Sequence, residues 1–220
     1  MKAPDENNTE IVRFENWTLR VKAAKNPKRL LILIHGLKGD ENSMWVFSHA
    51  LPADDWIIAP RAPYPVDDGG YSWRPPEAEN LDQPGISVLS SEIDKLLRLV
   101  DGYSLSTGVE ASQFDVMGFS QGAAVASLLA LLHPERVQKV GILAGFVPKQ
   151  AEPLIKNQSL KGKSFLVVHG IHDEMVSIER ARDSISLLEQ AGAQVDFCED
   201  ETGHKVSASC LRAVRDFFAD

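Results

Sequence analysis

Cysteine is scarce in this chain. Cys198 and Cys210 are its only two, and no Cys-x-x-Cys pair exists. That excludes the disulfide framework of a small secreted domain; each cysteine reads as a small core or surface residue, which points to a reduced compartment. Basic charge is short as well: 23 Lys and Arg against 31 Asp and Glu leave a net charge of -8. Nucleic acid and anionic membrane surfaces both require basic patches, so neither is expected as a partner, and the charge reads as solubility. Long apolar runs are missing too, and none nears the roughly 20 residues that cross a bilayer. The polar, acidic stretch Met1–Glu10 lacks the apolar segment of a signal peptide. The expectation is therefore a cytoplasmic protein with no membrane insertion.

What is present is an ordinary globular composition, 44% hydrophobic and 25% charged over 220 residues, enough for one domain spanning 1–220 with a sizeable core. Residues 1–9 read as a frayed tail. Ile11–Phe14 and Thr18–Val21 form a hairpin pattern around Glu15-Asn16. Leu30–Ile34 is five apolar residues in a row, as in a strand buried on both faces. Met44–Leu51 has helical spacing with Ser43 as N-cap, and Trp56–Ala59 is a short strand. Residues 60–84 are irregular, with six prolines and three aromatics, too proline-rich for a helix or a central strand. A loop this long inside a domain is usually functional, and it is assigned to the substrate side. Gly85–Val100 predicts an amphipathic helix, Gly102–Ser112 a loop. Strands then alternate with helices: a strand from Phe114, a helix ending at His133-Pro134, strands at Val140–Leu143 and Phe165–Val168, a helix over Ile178–Ala191 capped by Ser177 and closed by Gly192, a strand at Val195–Cys198 and a last helix over Val206–Phe218. The alternation predicts an α/β fold: one domain, a mostly parallel central sheet, helices on both faces. Sites in such sheets gather at the carboxyl ends of strands.

Gly118-Phe119-Ser120-Gln121-Gly122 lies between a predicted strand and a predicted helix. This context gives G-x-S-x-G its meaning: a turn so sharp that bulky neighbours would clash, with a serine left at its tip. A serine hydroxyl needs a base, and the base needs a partner that fixes its tautomer. His49 falls in a helix pattern, and His133 reads as a helix cap. Of the histidines at strand ends, His204 suits the base: it follows Gly203, precedes the last helix and completes the order Ser, Asp, His. Asp173, four residues beyond a strand-end histidine, suits the acid, with Glu174 as rival and Asp196 and Asp200 more distant. Backbone N–H groups of Leu37 and Gln121 are placed to face a developing oxyanion, with His35 a structural histidine beside them. A zinc site drawn from His169, His172, Asp173 and His204 has no supporting motif, so no metal or cofactor is expected.

The chain resembles the α/β-hydrolase superfamily and, within it, the small carboxylesterase/phospholipase family that includes bacterial carboxylesterases and acyl-protein thioesterases. The resemblance runs through Leu33-Ile34-His35-Gly36, Pro60-Arg61-Ala62-Pro63, Ser72-Trp73, Gly118–Ala123, Leu143-Ala144-Gly145, His169-Gly170 with Asp173, and Gly203-His204. It implies a serine esterase with no large cap domain: Ser120 nucleophile, His204 base, Asp173 partner, Leu37 and Gln121 oxyanion donors, and Trp73 beside the acyl pocket. It also implies a homodimer. Where family members often continue Ser-Trp with an aromatic and an acid, this chain has Arg74-Pro75-Pro76, a departure that bears on pocket shape. The expected reaction is hydrolysis of short- to medium-chain carboxylic, or lysophospholipid-like, esters. The pocket would draw on Tyr71, Trp73, Leu37, Phe119, Phe146, Met175 and Val176, with Arg61 or Arg74 able to meet an anionic group. The alternatives are a thioesterase or dienelactone-type hydrolase on the same triad, and a hydrolase-like binding module.

Overall fold

The structure, a computed structural model, describes residues 9–76, 86–155 and 158–219. Residues 1–8 of the predicted tail, and the 77–85 part of the proline-rich segment and helix start, lie outside the described residues, while Thr9, expected in the tail, opens the first strand. The strands are β1 (Thr9–Phe14), β2 (Trp17–Lys22), β3 (Leu30–Ile34), β4 (Trp56–Pro60), the short pair β5 (Tyr64–Pro65) and β6 (Tyr71–Ser72), β7 (Phe114–Phe119), β8 (Val137–Leu143), β9 (Ser164–Gly170) and β10 (Gln194–Asp200). The helices are α1 (Ile86–Thr107), α2 (Gln121–Leu132), α3 (Ile178–Gln190) and α4 (Ala208–Ala219). Eight strands form one sheet in the order β1-β2-β4-β3-β7-β8-β9-β10. Only the hairpin β1-β2 and the β2-β4 edge are antiparallel.

The five-residue apolar run of β3 follows from this topology. Leu30, Ile32 and Ile34 enter the core beneath α1, α2 and α3. Leu31 and Leu33 enter the other core, shared with Met44, Phe47, Val214 and Phe218. A strand with a core on each face has no polar alternation to show. β4 lies on one side of β3 and β7 on the other, so strand order reverses between β3 and β7. The crevice beyond their carboxyl ends is where open α/β sheets bind ligands.

Several boundaries differ from expectation. Ser43–Ala50 is a 3-10 segment capped by Asn42, and Ser43 instead sits inside an Asp40-centred turn, its hydroxyl 3.0 Å from Asp40 Oδ1. Helix α1 runs through Gly102 to Thr107, over much of the predicted loop, because buried Tyr103 packs edge-on against Phe14 and near Trp56. The proline-rich segment pairs Tyr64 with Ser72 in a small antiparallel ribbon. The larger correction concerns cysteine: Cys198 and Cys210 are joined in a disulfide, Cα atoms 5.7 Å apart, tying β10 to α4. Twelve residues apart in sequence, they become neighbours only because α4 turns back over β10. The argument from unpaired cysteines to a reduced compartment therefore falls. Among the described residues, no helix is long and apolar enough to cross a membrane.

Candidate active site

The site is built on the turn between β7 and α2. Ser120 has φ 52° and ψ -115°, a backbone that a non-glycine residue adopts only when its surroundings impose it, at about 1–3 kcal/mol. Two glycines impose it. A Cβ on Gly118 would lie 2.1 Å from the Gly122 carbonyl oxygen, and one on Gly122 would lie 2.2 Å from that of Ile34. The turn closes backbone against backbone, and the Ser120 N–H donates to Leu143 O at 2.9 Å.

Beside it runs His35-Gly36-Leu37, the continuation of β3. His35 Nδ1 donates to Gly36 O at 2.7 Å and Nε2 accepts the Ala62 N–H at 3.0 Å. Burial lowers its pKa, so it sits neutral as a brace for the loop. The ribbon clamps the same loop from outside: Lys38 N–H donates to Tyr71 O, and Tyr71 N–H to Gly39 O. Among the described residues, no backbone acceptor takes the N–H of Leu37 or of Gln121.

The loop after β9 carries Asp173. Its side chain is fully buried, and Oδ1 accepts the N–H groups of Met175 and Val176 at 2.9 Å each. Oδ2 accepts from His204 Nδ1 at 2.7 Å. Burial pushes the Asp173 carboxyl up, but the Val176, His204 and Met175 donors outweigh it and hold the group below its ordinary value. His169 Nε2 donates to Val176 O at 2.8 Å, fixing the far side of this loop. The segment bearing His204 is pinned by Ile171 N–H to Asp200 O and His172 N–H to Thr202 O. It crosses so close to β9 that a Cβ on Gly170 would meet Thr202 O at 2.2 Å. The glycine this crossing requires is Gly170, whereas Gly203, which the sequence singled out, has room for a side chain. The imidazole of His204 lies against Phe119, ring centroids 5.1 Å apart.

Two chambers open from Ser120, sharing Leu37 and Met175. The larger, about 660 Å³, includes His204 with Met44, Phe47, Phe119, Val206 and Leu211 in its walls. The smaller, about 210 Å³, runs past Gln121, Phe146, Val176, Arg74 and Arg180. Among the predicted pocket residues, Leu37, Phe119, Phe146, Met175 and Val176 thus surround the serine, and Met175 is 74% exposed at the junction.

Trp73 and Tyr71 line neither chamber. Trp73 is fully buried, its indole N–H donating to His35 O at 2.9 Å and its ring packed near Trp17. It braces the loop from behind and walls neither chamber. Tyr71 faces a separate hollow, where its hydroxyl accepts from Arg61 Nη1 at 3.0 Å. Arg61 is held by two bonds to Glu41, at 2.6 and 2.7 Å, and lines neither chamber; Arg74 does line the smaller one. Among the described residues, no three His, Cys, Asp or Glu side chains converge to hold a metal. His172 pairs instead with Glu201 at the surface.

The sequence reading missed the side chain of Gln121, whose Oε1 accepts Trp73 N–H at 2.9 Å and whose Nε2 donates to Ser72 Oγ at 3.1 Å. It also missed Arg180, which on a helix of amphipathic pattern reads as solvent-facing.

A doubly covered, mostly parallel sheet with this serine turn at its reversal point is an α/β-hydrolase fold. Comparison with known proteins narrows the class. Residues 18–220 match the phospholipase/carboxylesterase family, and the chain belongs to it. Among curated relatives, acyl-protein thioesterase 1 of Debaryomyces hansenii is 28% identical over 197 residues, 79% of this chain and 82% of that one. A probable inactive carboxylesterase of Oryza sativa subsp. japonica is 25% identical over 192 residues, 81% of this chain and 78% of that protein. Among solved structures, a carboxylesterase from Mesorhizobium loti superposes with a TM-score of 0.81 at 22% identity, covering 97% of this chain and 99% of its own. The Bacillus cereus carboxylesterase gives 0.80 at 19%, covering 94% and 99%. The chain is thus a hydrolase of the carboxylesterase or acyl-protein thioesterase type.

Proposed function

We propose that this hydrolase is a serine esterase acting through an acyl-Ser120 intermediate. His204 takes the Ser120 proton as the hydroxyl attacks the ester carbonyl, delivers it to the departing alcohol, then activates water for deacylation. Asp173 holds the imidazole with Nδ1 protonated and steadies the imidazolium. The Leu37 and Gln121 N–H groups receive the oxyanion; losing one such donor typically costs about 10²–10³ in turnover. The observation that carries this reading is the 2.7 Å Asp173–His204 bond on the wall of the chamber that Ser120 also lines. An aspartate kept ionised by two backbone donors is suited to orient a base, and no cofactor enters the scheme.

The apolar side chains around Ser120 in both chambers favour short- to medium-chain or lysophospholipid-like esters. A thioester substrate fits the same chemistry, and the acyl-protein thioesterase relative favours testing it directly. The test is turnover of matched oxygen esters and thioesters, acetyl to decanoyl, by wild type and Ser120→Ala. The expected result is activity that falls about 10⁴-fold or more in the variant. Folded wild-type protein that turns over neither series, and leaves Ser120 unlabelled by a fluorophosphonate, would support the binding-module alternative, which the Oryza sativa relative named a probable inactive carboxylesterase keeps in view. Cytoplasmic location stays within the proposal with one observation against it: a disulfide is uncommon in a reducing compartment. Counting free thiols in protein extracted under alkylating conditions decides it.

A further inference from the structure

The smaller chamber contains a charge that the fold does not use. Arg180 stands in the first turn of α3, half-buried, its guanidinium stacked on the Phe146 ring with Cζ 3.4 Å from the centroid. Among the described residues its guanidinium makes no hydrogen bond or ion pair, while five N–H donors need partners. Its position is unfavourable in two ways. A cation near a helix N-terminus opposes the macrodipole, and partial burial removes water without supplying a counter-ion. Burial alone accounts for the lowering of its pKa. Glu152 and Asp183 lie in the hollow on its other side, yet neither pairs with it. Arg74 lines the same chamber, and among the described residues no carboxylate does. In a chain of net charge -8, an arginine guanidinium without a counter-ion borders the cavity beside the nucleophile.

Chemistry decides which half of a substrate reaches them. His204 must hand its proton to the leaving oxygen, so the alcohol departs on the His204 side, into the larger chamber. The acyl group is then directed into the smaller one. From this geometry we propose that Arg180 determines acyl specificity, and that the preferred substrates are half-esters of short dicarboxylic acids, whose free carboxylate pairs with its guanidinium. The inference rests on the serine-esterase reading. Ser120 Oγ bonds the ester carbonyl, the alcohol leaves with the proton from His204, and water releases the free dicarboxylate. Phe146, by holding the guanidinium flat, leaves its edge for a two-point contact with a carboxylate. Ala144, at φ 45°, and Gly145, where a Cβ would lie 2.3 Å from Ala123 Cβ, turn the chain tightly over α2 to deliver that ring.

The experiment compares ethyl hydrogen glutarate with ethyl pentanoate, similar in length and differing in terminal charge. An ethyl leaving group is used because a pendant carboxylate expels a better one unaided. Wild type should favour the half-ester in kcat/KM by about tenfold or more, and Arg180→Met should lower that ratio about 10–100-fold, as expected for charge-assisted hydrogen bonds. Arg180→Lys should keep part of the preference. Should the variants misfold, glutarate should still inhibit the wild-type hydrolysis of ethyl pentanoate more strongly than glutaramide does. Equal rates on the two esters in wild type, an unchanged ratio in Arg180→Met, or a preference for anionic alcohols over anionic acyl groups would each overturn the inference while leaving the esterase standing. Absence of all ester turnover, with Ser120 unlabelled by a fluorophosphonate, removes the esterase reading and this one with it.

Discussion

Two buried acid–base clusters sit at opposite ends of the strands of one sheet, the first at β3, β4 and β7 and the second beyond β9 and β10. At the amino ends, Arg29 bonds Asp55 at 3.0 Å and Asp115 at 2.9 Å, and also meets the Phe218 carbonyl. At the carboxyl ends, Asp173 bonds His204 at 2.7 Å. The first cluster is closed: its aspartates precede β4 or open β7, and Asp115 also accepts the Lys139 N–H, so it locks strand ends and the last helix together. The second opens onto a cavity. Their carboxylates differ accordingly. Burial raises Asp55 and Asp115 despite the guanidinium, whereas backbone donors bring Asp173 below its ordinary value. On the proposed mechanism, an acid ringed by N–H groups in a loop stays charged beside a base that must change charge. Acids sharing one arginine under a sheet hold structure. On that reading, the same residue types serve stability at one end and chemistry at the other.

Three substitutions or treatments separate the ends, in descending order of effect. Asp173→Asn should cost about 10⁴ in kcat, through loss of the correct His204 tautomer, with a much smaller change in stability. Because the Asp173 pKa is lowered on folding, its stabilising contribution is full above the ordinary carboxylate range and disappears as pH falls through the lower folded value. The stability gap between wild type and Asp173→Asn should therefore narrow on acidification, as read by urea unfolding across pH. A variant that keeps wild-type kcat would remove the distinction between the ends.

Arg29→Met should do the reverse. Stranding two buried carboxylates should cost about 3–5 kcal/mol of stability at neutral pH, while turnover per folded molecule stays near wild type. The raised pKa values of Asp55 and Asp115 mean that the native state holds protons more tightly than the unfolded chain. Removing Arg29 raises them further, so the deficit should shrink as pH falls through those raised values. Denaturant titrations at about pH 7 and about pH 5 test the sign.

The smallest of the three effects concerns the disulfide. The loop from Cys198 to Cys210 contains His204. On a chain-entropy estimate, opening a loop of this length costs about 3 kcal/mol. Reduction should lower the melting temperature, and should affect kcat only as far as the His204 segment relies on the covalent tie beyond its hydrogen bonds to the Asp173 loop. A reduced protein of unchanged stability would show that the backbone bonds alone hold this segment.

Much of this arrangement was legible in the sequence, and the reason is local. Gly118, Ser120 and Gly122 specify their turn by sterics within five residues, and the apolar run of β3 announces a strand covered on both faces. Asp173 and His204 stood out because each follows a strand whose end the pattern already located. What escaped depends on distant packing. Tyr103 carries α1 past Gly102 only because Phe14 and Trp56 receive it. Trp73 faces inward because Gln121 and His35 take its two N–H groups. Arg61 is committed to Glu41, and Arg180 stays unpaired, for reasons no spacing displays. The disulfide likewise needs the fold to bring β10 and α4 together.

The central claim is that acyl transfer passes through Ser120 at the open end of the sheet. The most direct measurement is the mass of the protein quenched in acid during turnover of an activated ester. The account predicts an added acyl group on the peptide containing Ser120, absent in Ser120→Ala. Undiminished turnover by Ser120→Ala, with no acylated wild-type protein, would contradict it.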